Sequence, residues 1–182
     1  MKFVWALTGA GDLLPEIVTV MEEVAAQKEA EITVVLSRAA QQVATWYKLT
    51  DRLERLAAKI LVEKNANAPF IVGPLQTGHY KFLLVAPVTA NTAAKIAHGI
   101  ADSLISNAVA QINKTAIPAY LLPVDQRPGT AVTTLPDGSL LTLSIRPVDI
   151  ANVDAIRRME GITVLAHPKD ILDVVAKHNA RK

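Results

Sequence analysis

Cysteine is absent from all 182 residues. That excludes disulfides, thiolate zinc sites, cysteine-ligated iron–sulfur clusters and a cysteine nucleophile. It also agrees with a reducing compartment, and a cytoplasmic location is expected. Aromatic residues are scarce, 4% of a chain that is 51% hydrophobic, so the core must be built from Ala, Val, Leu and Ile. Charge of one sign is lacking too: the formal net charge is +2, and no basic block exceeds Arg157-Arg158, which speaks against nucleic acid. No apolar run reaches the roughly 20 residues that span a bilayer, so no membrane contact is expected. The apolar start, Met1 to Leu7, is short and runs into Thr8-Gly9-Ala10-Gly11-Asp12 rather than a cleavage site, so it reads as a first strand and not a signal peptide. There is no Walker-type phosphate loop and no serine in a nucleophile elbow, and the dinucleotide fingerprint is incomplete because position 14 is Leu. The four histidines show no ligand spacing, and no metal site is expected.

What is present is alternation. Strands are expected at 2–7, 31–36, 69–72, 81–86, 119–122 and 162–165, and helices at 13–27, 38–47, 51–61, 91–99, 102–113, 148–159 and 168–177. This order predicts an α/β fold: a doubly wound, Rossmann-like, mainly parallel sheet with helices on both faces. After Pro123 the pattern changes. Residues 131–135 and 140–145 flank Pro136-Asp137-Gly138-Ser139, and Asp-Gly between β-prone runs is a strong hairpin signal. The expected organisation is one domain over 1–182, with 124–147 as a hairpin insertion. Ligands of such sheets bind beyond the carboxyl ends of the strands, at a topological switch point. The loops at 8–12, 37, 73–79 and 87–92 would share that edge.

The most informative run is Pro87-Val88-Thr89-Ala90-Asn91-Thr92, which leads out of a buried strand and into a helix. Unpaired N–H groups at a helix start attract anions, and Thr89, Asn91 and Thr92 add side-chain donors, so a phosphate can sit there. Thr8-Gly9-Ala10-Gly11 also joins a strand to a helix. It is either an ordinary tight turn or a place where a ligand approaches the backbone. Ser37 caps the next helix and can also bind a ligand; Arg38 beside it is a solvated first-turn residue or a clamp. His79 is an incidental loop residue or an acid–base group. Trp46 and Tyr47 close a helix, as core or as cover for a planar ligand, core being favoured. Asp125-Gln126-Arg127, in a Pro-bounded loop, is a surface segment or a substrate gate.

The segment from Ala86 to Thr92, continued by Ala94-Lys95-Ile96-Ala97-His98-Gly99-Ile100-Ala101-Asp102-Ser103-Leu104, resembles the flavin-binding signature of the homo-oligomeric FMN flavoprotein family. That family includes phosphopantothenoylcysteine decarboxylase, lantibiotic cysteine decarboxylases and prenyl-flavin synthases. Thr8-Gly9-Ala10-Gly11 and Ser37 fall in the expected order. The resemblance implies FMN, with its phosphate at the Gly9–Gly11 turn and near Thr89, Asn91 and Thr92, and with Ser37, Arg38, Pro87 and Ala90 beside it. It also implies trimers, with flavin near a subunit interface, assembled in some relatives into larger shells.

The departures bear on activity. The decarboxylases carry a catalytic histidine on a helix well before the signature strand, and His79 lies too close to that strand. Their Pro-x-Met-Asn motif is replaced here by Ile117-Pro118-Ala119-Tyr120-Leu121-Leu122-Pro123-Val124-Asp125. Leu122-Pro123-Val124-Asp125, Thr133-Thr134-Leu135-Pro136-Asp137-Gly138, Ile145-Arg146-Pro147-Val148-Asp149 and Met159-Glu160-Gly161-Ile162 instead resemble the archaeoflavoprotein and acceptor-type dihydromethanopterin reductase branch. This implies hydride transfer from reduced FMN to 7,8-dihydromethanopterin, giving the tetrahydro form used in one-carbon metabolism. The electron donor would be ferredoxin, a flavin reductase or NAD(P)H, and His79 and Asp125 are the candidate proton donors. The alternatives are an electron carrier fed by ferredoxin, a decarboxylase or prenyltransferase of the wider family, and a flavin-storing shell.

Overall fold

The structure, a computed structural model, describes residues 1–180. Strands β1 (Lys2–Leu7), β2 (Glu31–Leu36), β3 (Lys59–Val62), β4 (Leu83–Val88), β5 (Ala119–Pro123), β6 (Thr130–Thr134), β7 (Leu140–Ser144) and β8 (Ile162–Val164) alternate with helices. Six strands form one sheet in the order β3-β2-β1-β4-β5-β8, and β6 and β7 form a separate two-stranded ribbon. Every neighbour pair of the large sheet is parallel; the ribbon is antiparallel. The central strands are buried on both faces, and they accordingly read as continuous apolar runs rather than alternating ones.

Helices α1 (Leu14–Ala26), α2 (Arg38–Trp46), α3 (Thr50–Leu56) and α8 (Asp170–Asn179) pack on one face, where Phe3, Trp5 and Leu7 of β1 point. Helices α4 (Val72–Gln76), α5 (Ala90–Ala97), α6 (Leu104–Ile112) and α7 (Pro147–Arg157) pack on the other, against Val4 and Ala6. The period-2 alternation of a strand thus divides one apolar run between two cores. The fold is α/β and Rossmann-like with an added hairpin, as expected from the sequence.

Two segments differ from the sequence reading. The helix expected over 51–61 ends at Leu56. Ala57 turns extended, at φ −90° and ψ 133°, and residues 59–62 pair with Thr33–Leu36 of β2 as the edge strand. The strand expected at 69–72 is not one: Val72–Gln76 is a short helix that also takes up most of the loop expected at 73–78. Buried Ile71, Val72 and Leu75 seal the second core from that position. In both places a short apolar run fits either state, and packing decides.

Candidate functional site

β1 and β4 are neighbours, but β1 continues into α1 on one face and β4 into α5 on the other. Their loops therefore diverge and leave a crevice at the carboxyl edge. The floor is tied together. The Trp5 indole N–H donates to the Ala86 carbonyl at 3.0 Å. Buried Thr8 donates through Oγ1 to the Pro87 carbonyl at 2.9 Å and accepts the Thr89 N–H at 2.8 Å. One threonine thus locks the turn after β1 to the turn after β4.

Two helix starts open onto this crevice. Ser37 caps α2, its Oγ accepting from the Ala40 N–H at 3.0 Å. Thr89 caps α5, its Oγ1 accepting from the Thr92 N–H at 3.2 Å and donating to Thr92 Oγ1 at 3.0 Å. Each helix start adds free N–H groups and partial positive charge. Gly9 packs so tightly on α2 that an added Cβ would lie 2.5 Å from the Ala39 Cβ. The glycine lets two sets of donors converge on one place.

The result is a cleft of about 290 Å³ lined by Thr8, Gly9, Ser37, Arg38, Asn91 and Thr92, with Lys95, Glu63 and Ser103 at its margin. Arg38 donates to the Lys64 carbonyl, and Lys95 pairs with Asp102 at 2.8 Å. The Glu63 carboxylate is engaged by the Leu104 N–H at 2.9 Å, which satisfies the start of α6.

A second cleft, about 270 Å³, shares Thr89 with the first and holds Ala10, Gly11, Ala90, Asp12 and Asp125. Its cover is Tyr47 with Ala131, Thr133, Leu135 and Leu143 of the hairpin. Tyr47 donates from its hydroxyl to the Thr134 carbonyl at 2.9 Å. Burial pushes the Asp12 carboxyl above its ordinary range, against the pull of the Leu13 N–H and the Thr133 hydroxyl. Burial, followed by the charges of Asp149 and Asp12, also pushes Asp125 up, while Arg146 opposes. Asp149 goes the other way. Arg146 grips it at 2.7 and 2.8 Å and lowers it.

The structure thus gathers Thr8, Gly9, Ser37, Arg38, Asn91 and Thr92 around one cleft, and Ala10, Gly11, Ala90 and Asp125 around the next, with Thr89 between. Pro87 lies buried under the floor and contributes only its carbonyl. His79 is not brought to either cleft. It is exposed near the amino ends of the strands, where its neighbour Lys81 donates to the Lys2 carbonyl. Trp46, favoured as core, is 54% exposed, while half-buried Tyr47 walls the second cleft. Asp12, Glu63, Lys95, Ser103 and Thr133 were not singled out from sequence as site residues. Lys95 and Ser103 lie within the matched signature and Asp12 just after the Gly-rich turn, so those three had a visible signal. Among the described residues no cluster of His, Asp or Glu could hold a metal ion, and no helix is long and apolar enough to cross a membrane.

Residues 1–180 match the family model described as Flavoprotein. The chain belongs to the Flavoprotein family. An uncharacterised member from Methanocaldococcus jannaschii is 51% identical over 178 residues, 98% of this chain and 96% of the relative. An acceptor-type dihydromethanopterin reductase of the same organism is 28% identical over 233 aligned positions that cover 95% of each chain. Among solved structures, Burkholderia xenovorans DmrB in complex with FMN, described as a cubic protein cage for redox transfer, superposes with a TM-score of 0.83. It is 29% identical over 98% of this chain and 95% of its own. The two adjoining clefts therefore belong to a flavoprotein.

Proposed function

We propose that this flavoprotein holds FMN at the switch-point crevice and reduces 7,8-dihydromethanopterin to tetrahydromethanopterin. The observation that carries the reading is the convergence of the α2 and α5 starts on a cleft that opens, through Thr89, onto a second cleft roofed by the hairpin. The residues present suit FMN. Ser37, Asn91 and Thr92 offer donors, Arg38 and Lys95 offer positive charge, and Gly9 removes the side chain that would hold the donors apart. Bound FMN supplies two-electron redox chemistry. The chain binds and orients it and shapes the space beside it. Asp125 stands in the second cleft as a carboxyl that can hold the substrate, and the proton that follows the hydride comes from water in the role of donor. His79 fills that role only if a second subunit brings it near. The 28% identical relative named for this reaction supports the substrate. Ferredoxin, a flavin reductase or NAD(P)H would deliver electrons.

The same reading holds the chain to be one flavoprotein domain with the 124–147 hairpin inserted, assembled as a homo-oligomer of trimers that can build a larger shell. DmrB being a cage supports this, as do the exposed apolar side chains described below. The test is anaerobic mixing of the FMN-reduced protein with dihydromethanopterin. Flavin reoxidation with formation of tetrahydromethanopterin is expected. Rapid reduction by ferredoxin with no pterin turnover would replace this reading with the electron carrier.

A further inference from the structure

The hairpin carries an apolar face that is partly exposed. Antiparallel pairing sets Ala131 opposite Leu143 and Thr133 opposite Leu141, so these four share one face. That face turns toward the second cleft, which Ala131, Thr133 and Leu143 line. Yet Leu141 remains 38% and Leu143 45% exposed. Beside the hairpin, and tied to its Thr134 carbonyl at 2.9 Å, stands the Tyr47 ring, packed so closely on Gly11 that an added Cβ there would meet its hydroxyl at 2.5 Å. The cleft therefore has an aliphatic and aromatic lining that suits a flat ring, and it also holds two carboxyl groups, Asp12 and Asp125, close enough to feel each other's charge.

We propose that this hairpin-roofed cleft is the subsite for the substrate's pterin ring, with Asp12 and Asp125 accepting hydrogen bonds from its 2-amino and N3–H edge. The inference rests on the reading that FMN fills the adjoining cleft and a dihydropterin is reduced. Charge complementarity selects the occupant. A pterin presents two adjacent N–H donors on its cyclic guanidine edge, which a carboxylate accepts as a fork. A flavin presents one N–H between two carbonyls, and carbonyl oxygens do not pair with carboxylates. The acid-lined cleft thus suits the pterin, while the cation-bearing cleft beyond Thr89 suits the phosphorylated cofactor. Half-buried carboxyls with few donors of their own gain partners when such a ring enters. Asp12 and Asp125 are specificity-determining residues in this account, and Leu143 is part of the roof.

The test uses the full FMN-loaded chain and calorimetric titration with 6-methylpterin and with 6-methyllumazine, which has oxygen in place of the 2-amino group. The wild type is expected to bind the pterin about tenfold or more tightly than the lumazine, the scale of one charge-assisted hydrogen bond. Asp125→Asn and Asp12→Asn are expected to collapse that ratio toward one while retaining FMN, read from the flavin absorbance per protein. Leu143→Ser, at an exposed position, is expected to weaken both ligands alike. A protein that reduces dihydromethanopterin yet binds pterin and lumazine equally, or keeps its preference in both Asn variants, overturns this inference and leaves the proposed function standing. A protein that takes up FMN but neither reduces nor binds any pterin overturns the function, and this inference with it.

Discussion

At the scale of single residues the site depends on what is missing as much as on what is present. Gly9 has no Cβ, and that gap is occupied by the start of α2. Gly9→Ala would place a methyl group 2.5 Å from the Ala39 Cβ, and the turn must move away from the Ser37 cap. Overpacking of this kind costs about 1–3 kcal/mol. The expected outcome is a lowered urea midpoint together with FMN affinity reduced by tenfold or more, measured by flavin fluorescence quenching. Equal FMN affinity would show that the turn does not hold the phosphate. Asp149 illustrates the opposite sign of electrostatics from Asp12 and Asp125. Its hydrogen bonds to Arg146 lower its folded pKa below the unfolded value. Its contribution to stability is therefore complete above the unfolded carboxylate pKa and is lost as pH falls through the folded value. Asp149→Asn is expected to destabilise the protein at pH 7, with the difference from wild type shrinking to nothing in acid. Urea midpoints measured down a pH series check this, and a difference that persists at the acid end contradicts it.

At the scale of elements the hairpin and α2 behave as one clamp. The ribbon of β6 and β7 makes no ladder with the main sheet, and the Tyr47–Thr134 hydrogen bond ties it to the end of α2. Two-stranded ribbons are marginal without such support. Tyr47→Phe removes one hydrogen bond and should cost about 0.5–1.5 kcal/mol. The effect is expected to be local: faster amide exchange across 130–144 and little change in exchange in β1 and β4. Uniform acceleration across the main sheet would mean that the clasp supports the whole fold. This ribbon is legible in the sequence because Asp137-Gly138 is a turn signal in its own right, and the Ser139 N–H does donate to Asp137 at 2.9 Å. β3 and α4 are not legible in this way. Lys59-Ile60-Leu61-Val62 and Val72-Gly73-Pro74-Leu75-Gln76 are too short to show a period, and only the open edge of β2 and the second core distinguish strand from helix.

At the scale of the whole molecule, mean hydropathy of +0.26 is not absorbed by the two cores. Phe70 is 71% and Ile100 47% exposed, on the α4–α6 side of the sheet and beyond α5. Together with Trp46 and the hairpin leucines they leave apolar surface on several sides, and such surfaces mark contacts. Light scattering is expected to give a mass at a multiple of three chains; a value of one chain, 19.6 kDa, would remove the trimer from the proposal.

Local chemistry determined the alternation of elements, the buried strand into Pro87, the cap at Ser37 and the absence of cysteine chemistry, because each is written in neighbouring side chains or in composition. Membership of a flavin-binding lineage was also readable, through a contiguous signature. The tertiary structure alone decided which loops share a crevice. Thr8 and Thr89 lie 81 residues apart in the sequence, and they meet only because β1 and β4 pair. It alone decided that Asp12, Asp125 and Tyr47 surround one cleft and that His79 stands away from it. Sequence spacing fixes direction only within an element; strand order, which follows from burying two cores at once, sets the distances between them.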